Sequence, residues 1–238
     1  RLIHVIENLA EVVFKMVNYV MEVAPYAVFA AMTTVVANKG LSILISYGYL
    51  MICFMGGLLF FTTVIPWIIA AVNGINYWKL LKELKEALLI SFSTASSEAS
   101  FPQTIAALEK FGCSRRIVGF VLPLGYSFNL DGSMLYMTFA TGFIAQAYGV
   151  HLSMEQQITM LLTLMITSKG IAGVPRASLV IIAGTLTMFN LPAEGIALLL
   201  GVDPFLDMGR TVTSVAGNGV ATCVVSKWEG EFNPPLAD

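Results

Sequence analysis

Charge is scarce in this chain. Of its 238 residues, 12% are Asp, Glu, Lys or Arg, against about a quarter in soluble domains, while 57% are hydrophobic and the mean hydropathy is +0.78. That deficit excludes a fully hydrated surface and makes a lipid bilayer the expected partner. A basic excess is missing too: a net charge of -2 and a pI near 5.7 leave no surface for a phosphate backbone, which excludes nucleic acid. Histidine occurs twice and cysteine three times. Cys53, Cys113 and Cys223 lack metal-ligand or redox spacing and sit in or beside apolar stretches, so they are read as bystanders, and neither a cofactor nor an enzymatic centre is expected. An initiator methionine and a signal-peptide pattern are also missing; opening on Arg1, the chain is read as part of a longer protein whose earlier spans precede it.

What is present is organised by interruption. No charged residue falls between Gly40 and Trp78, more than the roughly 20 residues a span needs, so a tilted span over 41–73 kinked at Pro66 is predicted. Val12 to Ala37 is apolar enough to cross as well, with Lys15 and Glu22 at an interface or against protein. The charged, amphipathic run Lys79 to Glu86 reads as an interfacial lead-in. Ala87 to Leu108 then splits into two apolar pieces of about ten residues, each too short to span, around the polar run Ser93 to Ser100, closed by Pro102. The pattern recurs between Gln157 and Leu186, where Thr167 to Pro175 interrupts. Two readings fit these lengths: helical hairpins that return to the side they came from, their tips covered by protein or water, or full spans with polar interruptions.

Each interrupted segment precedes a long apolar one with acidic residues at its middle. Ile117 to Tyr148 carries Asn129-Leu130-Asp131-Gly132-Ser133, and Ala193 to Val225 carries Asp203, Asp207 and Arg210. Paired interrupted segments of this kind point to a transporter's binding site. Lys79, Lys82, Lys85, Lys110, Arg115 and Arg116 flank the first interruption, whereas His151 and Glu155 precede the second. The first is therefore expected to enter from the cytoplasm, the second from outside, and Lys227 places the C-terminus inside.

Asp203, Asp207, Arg210, Thr211, Ser214 and Asn218 share one face of a helix. Ionised groups near the bilayer centre are costly and persist where they pair or bind something. An ion pair between Asp207 and Arg210 that holds helices together is one reading. The other is a ligand site: the guanidinium fork of Arg210 grips a carboxylate, Asp207 accepts from an ammonium group, and half-helix tips at Ser96-Ser97 and Gly170 to Gly173 offer N–H groups to a second carboxylate. In the segment 129–133 a glycine weakens the helix, and an unwound turn would free carbonyls that join Asp131 as a hard-oxygen cation site; a polar helix contact is the alternative. Glu98 either carries a proton or merely solvates a tip.

Together these motifs resemble the dicarboxylate/amino acid:cation symporter family, the glutamate transporter homologues. Ser96-Ser97 before Pro102, Asn129 to Ser133 against the family's Asn-Met-Asp-Gly-Thr, Gly170 to Pro175, and Asp207-Met208-Gly209-Arg210-Thr211 carry the likeness. The resemblance implies an all-α membrane protein with two oppositely oriented re-entrant hairpins, a homotrimer in a cell inner membrane, and an elevator motion. It divides the chain into a scaffold helix (1–38), a transport domain (39–228, with hairpins 79–111 and 155–190, a broken span 116–148 and a span 193–227) and a cytoplasmic tail (229–238). It further implies that Arg210 binds a side-chain carboxylate, Asp207 an amino group, and Ser96, Ser97, Ser133, Gly173, Val174, Thr211 and Ser214 the rest of an acidic amino acid. Coupling cations, H⁺ or Na⁺, would draw on Gly125, Ser127, Asn129, Asp131, Ser168, Asp203, Asn218 and Glu98. The chain departs from sodium-coupled members at Asn218, where they have aspartate, at Leu130, and at Lys169 and Ile171 in the gate; Arg176 falls where many have glycine. These departures lean toward H⁺. C4-dicarboxylate symport is the alternative on the same scaffold. A channel with the same polar lining is a further class; an intramembrane aspartyl protease on Asp131 with Asp203 or Asp207 is another, and Arg210 argues against it, because it would hold its neighbour ionised.

Overall fold

The computed structural model describes residues 40–169 and 177–233 and scattered positions between 12 and 37; the expected scaffold helix therefore lies largely outside the described residues. The charge-free stretch forms α1, Ile43–Val72, whose 30 residues rise about 45 Å. It is the one helix among the described residues long and apolar enough to cross a membrane. Along it Ile45, Tyr49, Ile52, Leu59 and Phe60 are exposed, as suits a face turned to lipid or to neighbouring protein. Pro66 inside α1 removes the N–H that would bond the Thr62 carbonyl. The Tyr77 hydroxyl donates to that carbonyl instead, at 2.5 Å.

The expected lead-in at 79–86 is not a separate piece. It is the first half of α2, Tyr77–Thr94, which starts where the Asn76 side chain accepts from the Lys79 N–H. Tyr77, Leu80, Leu84, Ala87 and Ser91 recur at helical spacing and bury one face, which leaves the charges of this run on the other. A turn at 95–100 leads to α3, Phe101–Phe111, with Pro102 in its first turn and Gly112 ending it at φ 113°, and α2 and α3 pack against each other. Two helices follow, α4, Arg115–Phe128, and α5, Asp131–Ala147, separated at 129–130. Gly132 is not what separates them, because it lies inside α5. A Cβ there would run into the backbone carbonyl of Arg210 and sit 2.6 Å from its Cα. The glycine lets two helices cross backbone to backbone.

A Ser153–Gln156 capping box opens α6, Met154–Thr167, and the next described helix is α7, Ser178–Met188. The span expected over 193–227 comes in pieces: a 3-10 turn at Ala193–Gly195, α8 at Ile196–Leu200, and α9 at Asp203–Trp228. Pro204, in the first turn of α9, has no N–H to carry α8 forward, so Asp203 begins a helix instead of lying mid-span.

α9 is the central element and packs against α1, α2, α4 and α5. One apolar core gathers Phe54, Tyr136, Met137, Leu164, Ile182 and Leu206; a second gathers Leu80, Leu84, Leu108, Leu122, Val215 and Val220. α9 contributes to both, and its polar residues fall between them. Cys113 and Cys223 meet in the second core with sulfurs 3.5 Å apart, a buried contact that their spacing does not suggest. The chain beyond α9 is pinned back: the Ser114 N–H donates to the Glu231 carbonyl at 3.2 Å, the Asn233 N–H to the Gly112 carbonyl at 2.8 Å, and the Glu231 carboxylate takes both the Ser114 hydroxyl and the Arg116 guanidinium.

Two outcomes follow from this packing. Gly132→Ala forces α5 and α9 apart and is expected to cost about 1–3 kcal/mol, read as a lower unfolding midpoint in detergent. Arg116 and Ser114 hold the Glu231 carboxyl below its ordinary value of 4.5. Its contribution is thus complete above that ordinary value and disappears as pH falls through the lower folded value. Hydrogen exchange at 112–116 should be slower in the native chain than in Glu231→Gln at neutral pH and equal in the two under strong acid.

Candidate functional site

The polar face of α9 converges on Arg210, which is 1% exposed. Its Nη2 lies 2.6 Å from Asp207 Oδ1 and 3.3 Å from Asp203 Oδ1, and its Nε donates to Asp207 Oδ1 at 3.2 Å. The guanidinium carbon stands 3.9 Å over the Tyr136 ring, a cation–π contact in a dry setting. Nη1 is buried and makes no hydrogen bond. All three charges belong to one helix, so the ion pair joins no two elements. Tyr136 ties the cluster to α5, its ring under Arg210 and its hydroxyl hydrogen-bonded to Asp203. The Asp207–Arg210 pair is thus present, within one helix, and each of its ions bears a burial penalty of several kcal/mol.

Around this cluster, Ser214 accepts the Gly132 N–H at 3.2 Å and so satisfies a free donor in the first turn of α5. The Thr211 hydroxyl is turned to the Asp207 carbonyl at 2.8 Å, and Thr213 pairs with Thr62 of α1 at 2.8 Å. Ser133 is half-buried beside them. At the first tip Ser97 is buried and Ser96 half-buried, with the Ser96 hydroxyl accepting the Ala99 N–H at 3.4 Å; Glu98 is exposed. These tip bonds are local to the turn. Ser168 is buried and donates to the Met165 carbonyl. Gly173, Val174, Ile171 and Arg176 lie outside the described residues.

Of the residues expected to serve cations, the break between α4 and α5 brings together Gly125, Asn129, Asp131 and Asn218. The Asn129 side chain donates to Asn218 Oδ1 at 3.1 Å and Asn218 Nδ2 donates to the Asn129 carbonyl at 3.2 Å, a reciprocal pair between break and α9. Asn129 also reaches Asp131 Oδ2 at 3.4 Å. Gly125 lies so close beneath Asn218 that a Cβ would strike its side-chain oxygen. Ser127 is exposed. One contact was not foreseen: Lys169 Nζ donates to the Phe128 carbonyl at 2.7 Å. Tyr136 was missed as well, being one aromatic in an apolar helix with no mark of its partner.

Removing the guanidinium leaves two buried carboxylates uncompensated, so Arg210→Ala should lower stability by about 3–5 kcal/mol. Tyr136→Leu, which removes the ring but keeps the volume apolar, should cost about 2 kcal/mol. Chemical unfolding of the variants in micelles checks both values and their order.

Comparison with known proteins places this geometry in context. The model of a family described as the sodium:dicarboxylate symporter family matches residues 1–228. The chain is 47% identical over 232 residues to a proton/sodium-glutamate symport protein of Bacillus subtilis, covering 98% of this chain and 54% of that protein. It is 45% identical to a proton/glutamate-aspartate symporter of Escherichia coli (98% and 53%) and 42% identical to a C4-dicarboxylate transport protein of Erwinia tasmaniensis (96% and 54%). The chain spans about half the length of these relatives.

Proposed function

This chain belongs to the sodium:dicarboxylate symporter family, and we propose that it carries the substrate and coupling sites of a secondary symporter for acidic amino acids, driven by H⁺, Na⁺ or both. The observation behind this reading is a buried arginine whose ionic partners both lie on its own helix. Such a cluster is a placeholder for a ligand. A glutamate or aspartate carboxylate replaces Asp207 on Arg210 while the ligand's ammonium replaces Arg210 on Asp207. Every charge keeps a partner through the exchange, which holds the desolvation cost down. Thr211 and Ser214 line the same face, and the tips at Ser96-Ser97 and at Gly173-Val174 supply donors to the second carboxylate.

In the same reading, α2–α3 and α6–α7 are hairpins that enter from opposite sides, residues 39–228 move as the transport domain of an elevator, 1–38 belong to the scaffold, and 229–238 form a cytoplasmic tail. The assembly is a homotrimer in the cell's inner membrane. Asn129, Asp131, Asn218, Asp203 and Ser168, with Gly125, Ser127 and Glu98, serve the coupling ions.

C4-dicarboxylate transport is the second reading, favoured by the name of the Erwinia relative. A dicarboxylate lacks the ammonium and would leave Asp207 buried against a like charge, at a cost of about 3–5 kcal/mol. Labelled glutamate, aspartate and succinate uptake into proteoliposomes holding the full-length protein, under imposed H⁺ or Na⁺ gradients, tests this. Glutamate or aspartate should be accumulated in preference to succinate, and Arg210→Ala should abolish uptake. Asp207→Asn should shift the preference toward succinate by about 100-fold. Uptake that ignores both gradients would overturn symport.

A further inference from the structure

The carbonyl groups that end a helix carry partial negative charge and lack intrahelical donors. At the break between α4 and α5 two of these carbonyls are filled by side chains from other elements. Asn218 of α9 serves Asn129, at 3.2 Å, and Lys169 serves Phe128, at 2.7 Å. Lys169 comes directly after α6, where its own N–H bonds the Ile166 carbonyl. Its ammonium thus joins the end of the second helical pair to the broken span. A long side chain that is otherwise exposed has been turned to a backbone carbonyl 41 positions away in sequence.

We propose that Lys169 is a tethered cation: its ammonium fills, at the Phe128 carbonyl, a position between α6 and the break that a free metal cation would otherwise be needed to fill, and so sets which ion the chain requires. Two properties favour a lysine in this role. An ammonium is a compact charge with three donors on a flexible stem, closer to a hydrated metal ion than the planar guanidinium is. Attached to the chain, it reaches the carbonyl at a high effective concentration, without the loss of translational freedom that a free ion undergoes. With Lys169 Nζ on the Phe128 carbonyl, an added Na⁺ meets a repelling neighbour and a carbonyl in use. The Asn129–Asn218 pair acts in the same direction, because both side chains spend donors and acceptors on each other.

The inference rests on the symport reading for its consequence, and its test separates the two. The full-length protein is purified in detergent. Its unfolding midpoint, without substrate, is followed as Na⁺ replaces choline at constant ionic strength, and glutamate binding is measured by calorimetry in both salts. The native chain should show little Na⁺-dependent rise in midpoint, while Lys169→Gln and Lys169→Met should gain one, as expected when an ion binds the folded state alone. In choline both variants should bind glutamate about 10-fold more weakly than the native chain, and Na⁺ should restore them. Lys169→Arg, which keeps the charge, should show less of this gain than either. A native midpoint that rises with Na⁺ as much as those of the neutral variants would overturn the proposal, and so would unchanged glutamate binding by the neutral variants in choline. If the native protein binds no acidic amino acid in either salt, the substrate reading fails while the midpoint comparison still decides the role of Lys169. Should Lys169→Gln not fold, Lys169→Met carries the same comparison.

Discussion

The buried guanidinium of Arg210 is the constraint on which the rest of the structure turns. A charge at 1% exposure needs opposite charge, an aromatic face and a sealed surrounding, and each of these comes from a definable place. Asp207 and Asp203 stand about one and two turns upstream because helical spacing puts them there. Tyr136 arrives from α5 because Gly132 lets α5 cross α9 at the level of the arginine's own backbone. The seal is made by two apolar cores, one on either side, which leave a polar layer between them.

That layer has a division of labour. Its upper part, around Arg210, is ionic and self-paired on one helix. Its lower part, around Asn129 and Asn218, is made of neutral amides that bond reciprocally across two elements. Neutral amides tie elements together at modest desolvation cost, whereas the charged cluster makes its ion pairs within one helix and meets α5 through Tyr136. The proposed substrate chemistry belongs to the first part and the proposed ion chemistry to the second. Lys169 reaches this part from the end of α6, through its bond to the Phe128 carbonyl.

Much of this was legible in the sequence, and the reasons are local. The polar face of α9 follows from spacing alone, and the break at 129–130 follows from a polar run inside an apolar one. The interruption at 95–100 announced itself by length. Other features required the third dimension. Gly132 looked like a helix breaker and is a crossing point, because sequence does not say which backbone comes near. The break before Asp203 hung on Pro204, whose missing N–H matters only once α8 is known to precede it. Tyr136, the Tyr77 hydroxyl on the Thr62 carbonyl, and Lys169 on the Phe128 carbonyl each pair a side chain with a partner that no periodicity identifies. The run at 79–86 was read by its charges as interfacial, although its buried face already marked it as part of a longer helix.

The central place of α9 bears on how the protein is made. Synthesis delivers α1 to α8 before it, yet the partners that satisfy them sit on α9: Ser214 for the first turn of α5, Thr213 for Thr62, Asn218 for the Asn129 carbonyl. Until α9 leaves the ribosome these groups must be held by water, by lipid headgroups or by the insertion machinery. The membrane-inserted chain therefore passes through a stage in which its helices exist but its polar layer does not.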